Sequence, residues 1–351
     1  MRILQVNQIN QVAYIYGDDL MLRGHEVEVC EPSFVGGLAP LPMKMALMPW
    51  RVLDMRRIMA KLNGNHFDIV HIHWASYGVF GLASRIPFIV QCHGTDVRYR
   101  LNNPLFRPIL RIIFQRAAAV LCITPDLLPV VQAVRPDAIF FPGPVKTDQF
   151  IPGGNSQSSP RSSWTILLFT RLDPIKGSEI AVRGIELFIR RHPDIRVQLL
   201  DWGVLKERYK RSLSDRFEFI SCVAQEEVHR LIWRADVVLG QFNLGILSFA
   251  ELQAMSCAKP LICSFHYDNV YSTPPPICRA STPNEIDEQL EKLYRHPEVG
   301  VTLGQKAREW VIENYDHRIL TRRLETLYGS ILDGQQPKLA LESVVARRTG
   351  R

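Results

Sequence analysis

Several features that mark common protein classes are missing from this sequence of 351 residues. No stretch approaches the roughly 18 consecutive apolar residues of a membrane-spanning helix, so the sequence predicts none. Residues 1–19 alternate between apolar and polar types and are rich in Asn and Gln, whereas a secretory signal peptide needs an uninterrupted apolar core. We therefore expect a cytoplasmic protein.

Cysteine pairs and the commonest dinucleotide fingerprint are also missing. The seven cysteines are scattered, odd in number and form no Cys-x-x-Cys motif, which argues against a disulfide framework and against a structural zinc site. No Gly-x-Gly-x-x-Gly follows the first predicted strand, so a nicotinamide or flavin fingerprint is absent. We predict neither a bound metal nor a cofactor.

The charge balance is basic, but it forms no dense Lys/Arg block. A formal net charge of +7 is compatible with nucleic acid, an anionic membrane surface or phosphorylated substrates. Because the sequence carries no DNA- or RNA-binding signature, nucleic acid is the weakest of the three.

The most prominent positive feature is an alternation of apolar strands and helices that occurs twice. The first series starts at residues 2–6, and the second starts at residues 164–170 after a stretch rich in Gly, Ser and Pro. This pattern predicts an α/β protein with two doubly wound parallel sheets facing each other across a cleft, which is the usual place for a ligand. The predicted boundaries are 1–148 for the first domain, 149–163 for a linker, 164–316 for the second domain, 317–333 for a helix returning to the first domain, and 334–351 for a flexible tail.

Polar or aromatic residues follow four predicted strands of the first domain: Asn7, Trp74, His93 and Thr124. In an open parallel sheet ligands bind outside the carboxyl ends of the strands, so these residues are expected to line one crevice. His93 is the strongest candidate because Gly94 makes a tight turn that a ligand can approach. His71 and His73 are weak metal candidates, since neither a carboxylate nor a third histidine is evident beside them in the sequence.

The stretch Thr165–Ile185 carries the strongest local signal. An apolar strand leads into a turn with Arg171, Lys176 and Gly177, and Ser178 is a good N-cap for the helix that follows. Two cations beside a helix N-terminus suit a phosphate or diphosphate, because the backbone N–H groups and the helix dipole both favour an anion. The alternative is an ordinary strand–turn–helix with two solvated cations.

Residues 49–62 form a basic amphipathic helix in the sequence, with Val52, Met55, Met59 and Leu62 on one face. We expect this face to pack on the protein's own sheet. Binding to an anionic membrane surface is the alternative.

Together these features resemble the GT-B glycosyltransferases of the large retaining family 4, over roughly residues 1–333. The matching segments are RGHEVEV (23–29), FDIVHIHW (67–74), QCHGTDVR (91–98), FPGPVKTDQF (141–150), FTRLDPIKG (169–177), ADVVLGQF (235–242), LQAMSCAKPLI (252–262) and WVIENYDHRILTRRLETLY (310–328).

The resemblance implies a retaining hexosyltransferase that needs no metal. Its donor would be a nucleotide-sugar, and its acceptor a glycan or lipid-linked molecule in cell-surface polysaccharide or glycoconjugate synthesis, at the inner face of the plasma membrane. By resemblance, Arg171 and Lys176 hold the donor diphosphate and His93 lies near the transferred sugar. The remaining implied site residues are Gly177, Val223, Gly245, Glu251 and Gln253 for donor binding, and Asn7, Trp74, Asp96 and Thr124 on the acceptor side.

The sequence departs from the family pattern where two glutamates are usual. Gln253 stands in place of one and Gly245 in place of the other, and Glu251 can substitute only if the helix start is shifted. A glutamine can still bind a sugar diol, through neutral and therefore weaker hydrogen bonds. Two alternatives to a transferase remain open: a non-catalytic nucleotide-sugar-binding or partner protein, and a nucleotide-sugar isomerase.

Overall fold

The computed structural model describes residues 1–32, 41–64, 66–153, 164–339 and 341, and the chain divides into two compact units. The first unit is Met1–Pro144 with His317–Arg351, and the second is Val145–Asp316. The predicted boundary after residue 148 is therefore four residues late, because Val145 N donates to Tyr315 O at 2.8 Å within the second unit. Most of the predicted linker and tail, namely 154–163, 340 and 342–351, lies outside the described residues.

The first unit contains a six-stranded parallel sheet in the order β2-β1-β3-β4-β5-β6. Because all strands run the same way, their carboxyl ends share one edge of the sheet. The strands are β1 (Arg2–Val6), β2 (Glu26–Cys30), β3 (Ile69–His73), β4 (Phe88–Cys92), β5 (Ala119–Cys122) and β6 (Ile139–Phe140).

Helices connect these strands. Those of the first 144 residues are α1 (Val12–Leu22), α2 (Leu41–Ala46), α3 (Met48–Gly64), α4 (Gly78–Leu82), α5 (Thr95–Arg98), α6 (Arg107–Arg116) and α7 (Leu127–Gln132).

Helix α3 does not pack as the sequence predicts. Only Ile58 and Leu62 are buried, whereas Val52 and Met55 of the predicted buried face are exposed. The stripe turned toward the protein includes Asp54, which pairs with Arg57 at 3.0 Å. The predicted core face is thus wrong for its first half, because a partly polar stripe packs inward and the apolar stripe faces solvent.

The second unit contains another six-stranded parallel sheet, in the order β12-β11-β10-β7-β8-β9. One of its two central strands, Thr165–Leu168, is apolar after its first residue because both faces of the sheet are covered. Ile166 and Leu168 belong to one buried cluster, and Leu167 and the following Phe169 belong to another. The strands are β7 (Thr165–Leu168), β8 (Arg196–Leu200), β9 (Phe217–Ile220), β10 (Val237–Leu239), β11 (Leu261–Cys263) and β12 (Cys278–Arg279).

The first helix of this unit starts differently from the prediction. Gly177, not Ser178, is its N-cap residue, with φ +69°, and Ser178 is the first helical residue. The Ser178 hydroxyl donates to Asp173 O at 3.2 Å instead of capping the helix. The helices of the unit are α8 (Ser178–Ile189), α9 (Lys206–Ser212), α10 (Val228–Arg234), α11 (Phe249–Ser256), α12 (Pro283–Arg295) and α13 (Pro297–Tyr315).

The last helix, α14 (His317–Leu332), is part of the first unit. Its His317 Nδ1 lies 2.7 Å from the Asp19 carboxylate, and its Tyr328 hydroxyl lies 2.8 Å from His71 Nδ1. Over the described ranges, no helix is both long and apolar enough to cross a membrane.

Candidate functional site

Asp96 organises the carboxyl edge of the first sheet. Its carboxylate is fully buried and accepts hydrogen bonds from the backbone N–H groups of Ala75 (2.9 Å), His93 (3.1 Å) and Gly94 (2.7 Å). Burial raises the pKa of Asp96, and these N–H groups oppose the rise because they stabilise the charged form. The side chain ties the turn after β3 to the turn after β4. The structure thus engages both oxygens of this predicted acceptor-side residue in the protein itself.

His93 follows β4 and is partly exposed. Its Nε2 atom lies 3.3 Å from Nδ1 of His73, whose ring is stacked on that of His71 with 4.1 Å between centroids. Burial lowers the pKa of His71 and of His93 to about 3, and that of His73 in the same direction. All three rings are therefore neutral near pH 7, and His93 offers hydrogen bonding rather than positive charge.

The other predicted residues of this edge are held by their neighbours. Asn7, buried at φ +70°, donates from Nδ2 to His73 O at 2.6 Å. Trp74 is partly exposed, and the guanidinium of Arg100 lies 5.9 Å from its ring. Thr124 Oγ1 accepts from Arg98 at 3.3 Å. The predicted acceptor-side residues thus gather at one edge of the sheet, as the strand-end rule requires.

In the second unit Arg171 follows β7 and contacts two side chains that the sequence analysis missed. It forms an ion pair with the buried Asp173, and its guanidinium lies 5.6 Å from the ring of Trp202. Asp173 also accepts from Val204 N at 2.9 Å, so it joins the turn after β7 to the turn after β8. Trp202 is 53% exposed, and its place after a strand end could have identified it.

Lys176 and Gly177 lie directly before α8. Lys176 ends a short 3-10 turn, Pro174–Lys176, and its Nζ lies 3.5 Å from Gln241 Oε1. Gly177 needs to be glycine because its φ is +69° and an added Cβ would come within 3.0 Å of Asn243 N. A basic side chain and a glycine therefore stand at the N-terminus of a twelve-residue helix.

Glu251 serves the protein's own backbone. Its Oε1 accepts from Gln241 N at 2.9 Å, and its Oε2 accepts from Ser248 N at 2.9 Å and from the Ser248 hydroxyl. The pair of Ser248 and Glu251 forms a capping box on α11. Both oxygens of this predicted donor-binding residue are thus engaged within the protein.

Gln241 links the candidate residues of the second unit. It contacts Lys176 through Oε1 and Glu251 through its backbone, and its Nε2 donates to Ile246 O at 2.8 Å beside Gly245. No sequence motif pointed to Gln241, although it follows the carboxyl end of β10. Two further predicted donor-binding residues stand apart from these contacts: Gln253 is buried on α11, and Val223 is 45% exposed in the loop after β9.

Gly245 has a backbone that a glutamate would not tolerate. Its φ is +63°, and an added Cβ would lie within 3.0 Å of three atoms of the His266 ring. The local backbone therefore favours glycine at this position, independently of any catalytic role.

A depression of about 600 Å³ lies at the opposite edge of the first sheet, lined by residues such as Arg85 and Phe88 at the start of β4. It contains none of the predicted site residues. In the part of the chain that the structure describes, no group of three or more His, Cys, Asp or Glu side chains is arranged to hold a metal ion.

Two sequence families match most of the chain between them. The family described as Glycosyltransferase Family 4 matches residues 9–140, and one described as Glycosyl transferase-like matches residues 183–326. The two matches include Trp74, His93 and Thr124 of the first unit and Gly245–Gln253 of the second, whereas Asn7, Arg171, Lys176 and Gly177 lie outside them.

Two relatives with assigned activities extend over much of the chain. A GDP-mannose-dependent alpha-(1-6)-phosphatidylinositol monomannoside mannosyltransferase of Mycolicibacterium smegmatis is 22% identical over 363 residues, covering 90% of this chain and 93% of that protein. An N-acetyl-alpha-D-glucosaminyl L-malate synthase of Bacillus anthracis is 19% identical over 295 residues, covering 76% of each.

Solved structures share the same architecture. Sucrose-phosphate synthase from Thermosynechococcus elongatus aligns with a TM-score of 0.75 at 15% identity, over 95% of this chain and 100% of that one. Anabaena HepE, solved in complex with UDP and glucose, aligns with a TM-score of 0.70 at 14% identity, over 94% and 100%. At these identities the superpositions establish a common fold.

Proposed function

The chain belongs to glycosyltransferase family 4 and has the GT-B fold, and from this premise we propose a retaining, metal-independent hexosyltransferase. In this proposal the second unit binds a nucleotide-sugar donor. The acceptor is a glycan or a lipid-linked molecule of cell-surface polysaccharide or glycoconjugate synthesis.

The observation that carries the proposal is the arrangement of Arg171, Lys176 and Gly177 at the start of α8. The N-terminal N–H groups of a helix favour an anion, and the two side chains add positive charge beside them. Cleavage of a sugar–diphosphate bond develops negative charge on the leaving group. Cations already held in place stabilise that charge without reorganising, which is the largest contribution in many enzymes.

The pairing of Arg171 with Asp173 supports this role. The carboxylate and the Trp202 ring hold the guanidinium in one orientation, and the Val204 N–H holds the carboxylate. In the same way, Gln241 contacts Lys176 and is itself anchored by Glu251. We propose that Asp173, Gln241 and Glu251 position the two cations for the diphosphate.

His93 supports transfer in a different way, because its ring is neutral near pH 7. We propose that it binds a hydroxyl of the transferred sugar by a hydrogen bond. A neutral ring avoids placing a second charge beside the reacting carbon, and it leaves the diphosphate charge to Arg171 and Lys176.

The donor nucleotide can be identified by ligand-dependent stabilisation. The Mycolicibacterium relative uses GDP-mannose by its name, whereas HepE was solved with UDP, so both nucleotides are candidates here. A ligand that binds only the folded state raises the melting temperature, and the rise grows with the logarithm of its concentration relative to Kd. A thermal-shift panel of UDP, GDP and ADP, followed by their sugars, therefore selects the donor.

The transferase activity is tested by nucleotide release. We expect the purified protein to release nucleoside diphosphate from one nucleotide-sugar in the presence of an acceptor mixture. Lys176→Ala should lower the rate by about 100-fold or more, as expected for loss of a group that stabilises transition-state charge. Lys306→Ala, an exposed lysine of α13 in the same unit, should leave the rate unchanged.

The alternative is a non-catalytic nucleotide-sugar-binding protein, and the conformation of Gly245 favours it. A backbone that excludes the family's usual glutamate is what a lapsed site would show. Binding of a nucleotide-sugar without release or transfer, by wild type and Lys176→Ala alike, would support this alternative and contradict the transferase proposal.

Contact with a membrane surface is also part of the proposal. The exposed apolar side chains in the first half of α3 lie around the helix outside its buried stripe, and we call them together the "α3 face": Met48, Trp50, Val52, Leu53 and Met55. Arg56 and Arg57 follow on the same helix and are exposed. We propose that the α3 face inserts among lipid headgroups, which would bring a lipid-linked acceptor to the enzyme.

A further inference from the structure

We propose that Gln5 and His73 fix the ring of His93 in the tautomer that carries its proton on Nε2. The Nδ1 atom of His93 is then a hydrogen-bond acceptor, ready for the proton of a sugar hydroxyl. This inference rests on the proposed function for its ligand. The tautomer itself is a property of the free protein.

The three side chains come from three adjacent strands. Gln5 lies on β1, His73 ends β3, and His93 follows β4, and these strands are neighbours in the sheet. Gln5 Oε1 lies 2.5 Å from His73 Nε2, and His73 Nδ1 lies 3.3 Å from His93 Nε2. Both Gln5 and His73 are fully buried, so water does not compete for the contact between them.

The hydrogen-bonding capacity of each group sets the direction of the chain. The amide oxygen of Gln5 only accepts, so His73 carries its proton on Nε2 and donates it. A neutral imidazole has one N–H, which leaves Nδ1 of His73 as an acceptor. His93 must then donate from Nε2, and its own Nδ1 carries the lone pair.

Burial favours the neutral state of the His73 and His93 rings. Desolvation lowers the pKa of His73 and brings that of His93 to about 3, so neither ring takes a second proton near pH 7. His71 stacks on His73 with 4.1 Å between the ring centroids, and its Nδ1 lies 2.8 Å from the Tyr328 hydroxyl.

The partly exposed His93 ring thereby offers a hydrogen-bond acceptor, Nδ1, to a ligand. Among the described residues, no hydrogen bond to His93 Nδ1 is found, and the ring is partly exposed. A hydroxyl of a bound sugar can donate to Nδ1, whereas a methoxy or fluoro group at the same position has no proton to give. Gln5 and His73 are thus positioning residues that make His93 selective for a free hydroxyl.

The tautomer can be measured directly in the full-length protein without any ligand. We expect long-range ¹H–¹⁵N correlation spectra of ¹⁵N-histidine-labelled protein to show His93, assigned with a His93→Gln sample, with a protonated Nε2 and an unprotonated Nδ1. A His93 signal with the proton on Nδ1, or with an even mixture of both forms, would overturn the proposal.

Gln5→Glu tests whether an oxygen acceptor at residue 5 sets the tautomer of His93. Burial keeps His73 neutral, and a glutamate oxygen still accepts from its Nε2, so His93 should keep its proton on Nε2 in this variant. Gln115→Glu, an exposed site on α6 of the same unit, is the matched control and should leave the His93 signals unchanged. A His93 proton on Nδ1 in a folded Gln5→Glu protein, or unchanged His93 signals in a folded Gln5→Met protein that lacks this acceptor, would contradict the proposal.

Gln5→Met provides a second variant in case a buried glutamate prevents folding. It removes the acceptor without adding charge, so His93 should lose its single tautomer. Once a transferase assay exists, Gln5→Met should lower kcat/KM by about tenfold, the value of one neutral hydrogen bond, while Gln115→Glu has no effect. Because the spectra need no activity, failure of the transferase proposal and failure of the tautomer proposal give different results.

Discussion

At the scale of single residues, Gly245 is a site where local backbone geometry decides the amino acid. Its φ of +63° is unfavourable for any residue with a Cβ, and the His266 ring fills the space that a side chain would need. The departure from the family pattern at this position is therefore a feature of this chain's own loop. A glutamate cannot simply be restored there.

The backbone conformation of Gly245 predicts a loss of stability when a side chain is added there. Gly245→Ala should lower the melting temperature and destabilise the second unit by about 1–3 kcal/mol, through strain in the left-handed region and displacement of His266. Gly300→Ala, in helix α13 of the same unit, is the matched control. Its added Cβ would meet ordinary contacts at 3.5 Å or more, so we expect no loss of stability.

Thermal unfolding of both glycine variants provides the measurement. Equal melting temperatures for Gly245→Ala and Gly300→Ala would contradict the role assigned to the Gly245 backbone. Gly245→Glu should be less stable than Gly245→Ala, because the longer side chain has to move the His266 ring further.

At the scale of elements, helix α3 presents its apolar residues to solvent. Trp50 is 62% exposed and Met48 is 57% exposed, whereas Ile58 and Leu62 in the second half are buried. Among the basic residues, Lys61 pairs with Glu28 at 2.5 Å and Arg57 with Asp54. These pairs offset part of the positive charge, so the apolar residues should contribute more to membrane binding than the sequence alone indicated.

We therefore predict that the protein binds vesicles containing anionic lipid, and that Trp50→Ala with Met55→Ser weakens binding by at least about tenfold. Burial of apolar surface contributes about 25 cal/mol per Å², and these two side chains supply much of the α3 face. Cosedimentation with vesicles of stated anionic content measures the effect. Neutralising Arg56, Arg57 and Lys61 should reduce binding to a smaller extent, and high salt should mimic that loss.

Val301→Ser is the control for this experiment. Val301 is 60% exposed on α13 of the second unit, so the variant removes an exposed apolar side chain outside the α3 face. If wild type does not sediment with vesicles, or if the α3 double variant binds as well as Val301→Ser, the membrane proposal is wrong.

The contrast between strands and α3 shows what the sequence could predict. Strands β1 and β7 were predicted within two residues at each end, because burial on both faces leaves a largely apolar run. The inward face of α3 was predicted wrongly at Val52 and Met55, because its orientation is set by tertiary contacts of Ile58 and Leu62. The short helices α4, α5 and α7 carry too few turns for a clear periodicity.

The candidate site likewise contains residues whose position the sequence predicted and contacts that it did not predict. The strand-end rule correctly indicated where Asn7, Trp74, His93 and Thr124 would gather. The contacts of Asp173, Gln241 and Glu251 could not be predicted, because they join turns that are distant in sequence. The predictions that the strand ends of the two domains face each other, and that His93, Arg171 and Lys176 share one reaction, stay predictions.

At the scale of the whole molecule, the buried histidines link folding to pH. The pKa of His71 is lowered by burial to about 3, compared with about 6.5 in an unfolded chain. Between these values the unfolded state binds more protons than the folded state, so the free energy of unfolding rises with pH. The contribution of the neutral, buried His71 to stability is therefore fully present above pH 6.5 and is lost as the pH falls toward 3.

We predict that acidification from pH 7 to pH 5 lowers the free energy of unfolding, and that a fully buried histidine such as His71 contributes about 2 kcal/mol of this loss. The urea midpoint, followed by circular dichroism at the two pH values, gives the difference. His71→Phe should reduce the difference by about this amount, whatever its effect on stability at pH 7, because it removes one group that must charge in the unfolded state. His296→Phe, at a ring that is 60% exposed, should leave the difference unchanged. An equal pH dependence in wild type and His71→Phe would show that the folded state already accommodates a proton on His71, and the neutral histidine cluster beside His93 would then have to be rejected.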